Sequence, residues 1–138
     1  MQEILVGEHN FTATTGDQFK IALYTNSSTI SNASTVYVTS GETTNTAGTA
    51  YTAGGANLTS VTPALKSSTT ACCDFGDATW STASFTAYGA LIYNDDTTGD
   101  KAVCVLNFGG DKTASAGTFT IQFPDFTAVA AILRLANA

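Results

Sequence analysis

Phe85-Thr-Ala-Tyr-Gly-Ala-Leu-Ile-Tyr93, the loop Asn94-Asp-Asp-Thr-Thr-Gly-Asp100 and the run Lys101-Ala-Val-Cys-Val-Leu-Asn-Phe108 make up the stretch that decides the fold. Two β-rich runs flank a loop whose Asn, Asp and Gly accept the left-handed backbone of a chain reversal, which predicts an antiparallel hairpin. By the period of two, Phe85, Ala87, Gly89, Leu91 and Tyr93 share one face of the first run, and Ile92 lies opposite. In the second run Val103, Val105 and Asn107 alternate with Ala102, Cys104, Leu106 and Phe108. Both faces are largely apolar, so this run reads as a central strand.

Working outward, β-branched and aromatic segments recur about every ten residues, separated by Gly, Asn, Ser, Thr and Asp. Phe19-Lys-Ile-Ala-Leu-Tyr24 places Phe19, Ile21 and Leu23 against Lys20, Ala22 and Tyr24, as a core strand would. Shorter strands are expected at Thr35 to Thr39, Ala56 to Val61, Ala71 to Phe75 and Thr79 to Ser81 around Trp80. The Gly-rich connection from Gly109 to Gly117 leads to a strand from Thr118 to Phe123, which Pro124 stops. Ala128 to Leu135 combines Ala, which favours helix, with Ile132-Leu-Arg-Leu135, which suits a closing strand; the short length favours strand. The sum is an all-β fold, an antiparallel two-sheet sandwich of jelly-roll type with eight or nine short strands. Residues 1–16 form an N-terminal arm, and residues 17–138 form one sandwich domain.

Composition narrows the function. The 138 residues suffice for one domain with a real core, and only 12% are charged against about 25% in an average domain. Five Lys plus Arg against eleven Asp plus Glu give a net charge of -6 with no basic run, which argues against nucleic acid and anionic membranes as partners. The amino terminus lacks the features of a secretory signal, and no apolar run approaches the ~20 residues of a membrane span. Asn10-Phe-Thr12, Asn26-Ser-Ser28, Asn32-Ala-Ser34 and Asn57-Leu-Thr59 match the glycosylation pattern as chance does in a chain so rich in Asn, Ser and Thr. The three cysteines, Cys72, Cys73 and Cys104, suit reduced thiols; adjacent cysteines on a strand point to opposite faces, while a pairing of either with Cys104 stays open.

Candidate chemistry is thin. Asn94, Asp96, Thr98 and Gly99, with Asp100 following, echo the start of a calcium loop, in which alternate oxygen-bearing side chains and a Gly wrap a hard cation. The position that should carry a bidentate carboxylate is Val105, so a solvated hairpin tip is the simpler reading and no cofactor is expected. Asp74, Asp77, Asp95, Asp96 and Asp100 are enough carboxylates for a glycosidase pair, and Trp80 could stack on sugar, but nothing in the spacing gathers them. His9 has no nucleophile motif near it and reads as a surface residue on the arm, and Trp80 reads as a core anchor. No catalytic residue is assigned. Low charge with abundant Thr, Ser, Ala and Gly suits neutral surfaces that lie against partners, and an apolar arm can add a strand or a plug to a neighbour.

Asp17-Gln-Phe-Lys-Ile-Ala-Leu-Tyr24, Tyr51-Thr-Ala-Gly-Gly-Ala-Asn-Leu58, Thr79-Trp80, Ala90-Leu-Ile-Tyr-Asn94, Ala102-Val-Cys-Val-Leu-Asn-Phe-Gly109 and Gly117-Thr-Phe-Thr-Ile-Gln-Phe-Pro124 together resemble a family of small virion proteins of tailed bacteriophages. The resemblance covers most of the chain after residue 16. It implies a non-enzymatic structural protein, made in the host cytoplasm, that decorates or cements the outer capsid surface by bridging major capsid protein subunits, alone or with copies of itself. Contact residues expected on this basis are the arm cluster Ile4, Leu5, Val6 and Phe11, with Asn26, Asn32 and Tyr51 in the polar loops 26–34 and 41–53. The alternative is a tail or fibre module that binds host glycan. A glycan-cleaving enzyme is the third.

Overall fold

The protein is described by a computed structural model over residues 2–44 and 51–136. Part of the expected contact loop 41–53, residues 45–50, lies outside the described residues. The chain forms two antiparallel β-sheets packed as a sandwich, the class that the alternation requires. The first sheet contains β1 (Phe19–Tyr24), β2 (Ala56–Asn57), β5 (Ala78–Asn94) and β6 (Lys101–Ile121), in the order β2-β1-β5-β6. The second contains β3 (Ser60–Ser67), β4 (Thr70–Phe75) and β7 (Leu133–Ala136), in the order β3-β4-β7. A single helical turn, α1 (Gln2–Leu5), precedes them.

β1 fixes the layering. Phe19, Ile21 and Leu23 enter the main core between the sheets, where they join Phe75 of β4, Trp80 and Phe85 of β5, and Phe123. The opposite face, Ala22 and Tyr24, builds a second cluster with Leu91, Tyr93 and Ala102, and Ile30 and Tyr37 of the loop between β1 and β2 pack on it. The first sheet is therefore buried on both faces around β1, by the second sheet on one side and by a folded-back loop on the other. Gly55 closes that loop: its φ is +80°, and a Cβ there would overlap the Ile21 carbonyl, so only glycine lets the chain lie this close to β1.

Several expectations are corrected. The seven described strands replace eight or nine because short runs merge: Thr79–Ser81 and Phe85–Tyr93 are one 17-residue strand, and the two runs flanking Gly109–Gly117 are one 21-residue strand. The Gly-rich segment is absorbed as a bulge. Ala87 pairs with Lys112 and Gly89 with Asn107, so Tyr88 alone opposes residues 108–111, where Gly109 and Gly110 take φ of 71° and 154°. The same irregularity breaks the expected shared face on β5. Phe85 and Ala87 point into the main core, but beyond the bulge Ala90 and Ile92 do so, and Leu91 and Tyr93 turn to the second cluster.

The largest correction concerns β6. It is an edge strand and not a central one: β5 lies on one side, and on the other the described residues supply only the bridge of Val36 to Lys101. Its two apolar faces come from the layers above and below its first half. Thr35–Thr39 thus contributes a bridge instead of a strand, and the closing strand spans only Leu133–Ala136, after turns at 127–130.

Candidate functional site

Two buried polar knots organise the interior. In the first, Glu42 is buried and both of its carboxylate oxygens are used. Oε1 accepts from the Tyr51 hydroxyl at 2.6 Å and from the Gly54 amide at 2.7 Å, and Oε2 accepts from the Tyr37 hydroxyl at 2.6 Å. Tyr51 in turn accepts from the Leu23 amide, Tyr93 donates to the Gly54 carbonyl, and Tyr24 donates to the Val38 carbonyl. Loop backbone is tied to the first sheet at each point. Burial, and then the Glu42 charge, pushes the Tyr24 phenol up to about 12. Tyr37, Tyr51 and Tyr93 are raised further, in each case chiefly by burial. These hydroxyls stay protonated and serve as donors.

In the second knot Asn94, fully buried at the end of β5, spans the hairpin tip and the amino-terminal segment. Its Oδ1 accepts from the Asp96 amide, and its Nδ2 donates to Asp17 Oδ2 at 2.6 Å and approaches His9 Nδ1 at 3.1 Å. Asp17 also accepts from the Asn10 amide, and Asp96 accepts from the Gln18 amide. In the hairpin tip that echoes a cation loop, Asn94 Oδ1 and Asp96 Oδ2 hold backbone amides, and the Asp100 backbone carbonyl accepts from the Tyr37 amide. No group of three or more His, Cys, Asp or Glu side chains suited to a metal occurs among the described residues.

His9 is buried, not on the surface, edge-on to Phe11 and Phe19. Phe11 stacks on Phe19 at 4.6 Å, so the arm contributes His9 and Phe11 to the interior while Asn10 and residues 13–15 stay exposed. Of the expected contact residues, Phe11 and Tyr51 are buried, Ile4 is half-buried against the core, and Leu5, Val6, Asn26 and Asn32 are exposed. The carboxylates considered for sugar cleavage are dispersed into structural bonds: Asp95 pairs with Lys20 at 2.7 Å, Asp77 accepts from the Phe123 amide, and Asp74 caps the Phe75 amide. Trp80 is buried between Tyr51, Phe85 and Phe119 and offers no face to a ligand. All three cysteines are free thiols; burial raises Cys73 and pushes Cys104 up to about 11, which disfavours the nucleophilic thiolate.

What the sequence reading missed lies on the second sheet. Cys73 pairs with Leu133 in a row packed on the core; two residues along, on the same face, Leu65, Ala71 and Leu135 are register partners across all three strands. Leu65 is 73% exposed and Leu135 71%, so the core face of this sheet overhangs its cover. Tertiary cover cannot be read from the alternation of any one strand. Glu42 left a fainter trace, as the one acidic residue between Asp17 and Asp74. No protein-family model, curated protein or solved structure matches the chain.

Proposed function

We propose that this chain is a non-enzymatic bacteriophage virion protein that decorates or cements the capsid by bridging major capsid protein subunits. The observation that carries the reading is the apolar row in which Leu65 and Leu135, both exposed to water, flank half-buried Ala71 as register partners across three strands. Covering a leucine is worth roughly 1.5–3 kcal/mol, and one such row per copy, repeated over a shell, gives avidity without a pocket. Exposed Leu5 and Val6 add a second apolar contact, and exposed Asn26 and Asn32 supply uncharged polar ones. The resemblance of the strand motifs to small tailed-phage virion proteins points the same way. Binding to the expanded shell in preference to its looser precursor would stabilise the expanded state by mass action.

The test is occupancy on purified expanded shells. The double variant Leu65→Asp, Leu135→Asp should fold normally and lose occupancy by at least about tenfold, since two solvent-facing substitutions cost the free protein little. Wild-type occupancy by this variant would remove the assignment. Copy number separates the glycan-binding alternative: many copies across the head favour cement, and a few at one vertex or the tail favour adhesion.

A further inference from the structure

A strand edge without a partner presents ordered N–H and C=O groups to water and templates the addition of another strand. The edges of this sandwich are unequal. β3 carries Pro63 and Lys66, β7 is four residues long and carries Arg134, and β2 has two residues. Each is blunted in a recognised way. β6 is blunted only around its bulge at 108–111 and by Lys101 and Lys112, and residues 102–107 between them carry neither charge nor Pro. After the Ala102 amide bonds to the Thr35 carbonyl, the loop diverges, and a trough of about 760 Å³ opens between residues 30–35 and residues 102–107 of the edge. From Ala102 to Gly110 this strand has no charge, and Lys101 and Lys112 bracket the stretch, the latter beside Asp111; these are two of the five cations in the chain.

The amino-terminal segment has the complementary pattern, Ile4-Leu-Val6 bracketed by Glu3 and Glu8. Its hold on its own chain is one half-buried side chain, Ile4 against the main core, and two polar contacts of Glu8. Asn94 Nδ2 reaches the Glu8 carbonyl at 3.4 Å, and the Glu8 carboxylate lies 4.0 Å from Lys101 Nζ. Leu5 is 80% exposed and Val6 66%, and neither lines the trough, so the chain does not fill the site with its own segment. A four-residue helix is far below the ~12–15 residues that sustain an isolated helix, and Gly7 at φ +77° supplies a pivot with open space around it. Extended, six residues reach roughly 20 Å.

We infer that the trough beside β6 is a strand-addition site for the amino-terminal segment of a second copy of this chain, residues 3–8 lying along the edge with Leu5 and Val6 covered and the acidic ends beside the lysines. Reciprocal exchange gives a two-fold dimer, and one-way donation gives a chain of copies. Leu5, Val6 and the trough wall then serve the contact between copies, and the proposed role on a shell rests on the row Leu65, Ala71 and Leu135, which this contact leaves free.

Sedimentation of the full-length protein over a wide concentration range tests it. The wild type should self-associate. Leu5→Asp with Val6→Asp removes the donor, and Ala33→Glu on the exposed trough wall blocks the acceptor; each should weaken association at least about tenfold with an unchanged circular dichroism spectrum. Mixing the two variants should restore a one-to-one complex, because the first keeps an open trough and the second an intact donor. A wild type that stays monomeric, association that survives loss of the donor, or variants that fail to complement would each overturn the inference. The second of these would indicate pairing of β6 with itself.

Discussion

β1 and β6 belong to one sheet and live in different surroundings. β1 has six residues, β2 and β5 on its two edges and a packed layer on each face; Phe19, Ile21, Ala22, Leu23 and Tyr24 are fully buried. β6 is more than three times as long, pairs with one neighbour along its length and leaves most of its side chains half-buried or exposed. What separates them is cover, and cover comes from segments distant in sequence. A strand's length and apolar content report how well it can pair, whereas its place in the sheet is set by what the rest of the chain lays beside it.

The contrast can be broken most directly by core truncation. Phe19→Ala in β1 should cost about 3–5 kcal/mol, the range for a fully buried Phe, and Phe119→Ala in β6 about 1–2 kcal/mol because that ring is half-buried. Urea denaturation of the two variants measures both; equal losses would mean that β6 is covered as β1 is.

The loop layer over β1 depends on Glu42. Glu42→Ala should cost about 3 kcal/mol, because it strands the Tyr51 and Tyr37 hydroxyls and the Gly54 amide. Glu42→Gln, which keeps an acceptor, should cost about 1 kcal/mol. Amide exchange in residues 21–24 should accelerate in the Ala variant and leave residues 113–119 unchanged; acceleration in both regions would deny that the loop covers β1 selectively.

Alkaline pH probes the same layer. Tyr24, Tyr37, Tyr51 and Tyr93 are all held above their ordinary value of 10.0 in the folded chain, Tyr24 at about 12. Their contribution is fully present below pH 10 and is lost above it, where the unfolded chain releases phenolic protons that the folded chain retains. Denaturation midpoints should hold level up to about pH 9.5 and then fall, and Tyr51→Phe should make the decline shallower. A midpoint independent of pH from 9 to 11.5 would contradict this.

The smallest effect belongs to the bulge. Gly110→Ala at φ +154° should cost about 1 kcal/mol through backbone strain alone, since nothing lies within 4 Å of an added Cβ. A larger loss would show the bulge to be packed.

The class of fold was legible because alternation is local: Phe19 to Tyr24 alternates as written, and the reversal at Asn94–Asp100 is encoded in its own residues. Lys101 to Phe108 does not, because a register shift beside Tyr93 puts Ala102 with Val105 in the second cluster and packs both Val103 and Cys104 on the main core. The bulge at Tyr88 was not, because Gly109-Gly110 suits a loop and an irregular strand equally well, and only the pairing of Ala87 with Lys112 decides between them. Phe11 and His9 misled for a related reason. A lone aromatic among Thr and Gly carries no period, and its burial follows from the tether of Asp17 and Asn94, 77 residues apart in sequence. The row of exposed Leu65 and Leu135 about half-buried Ala71 needs three strands in register before it exists.

Imaging of intact virions at side-chain resolution tests the proposed role most directly. We predict many symmetry-related copies over the head, with Leu65 and Leu135 seated against shell subunits. Copies confined to the tail or one vertex, or copies on the head with that row facing solvent, would contradict it.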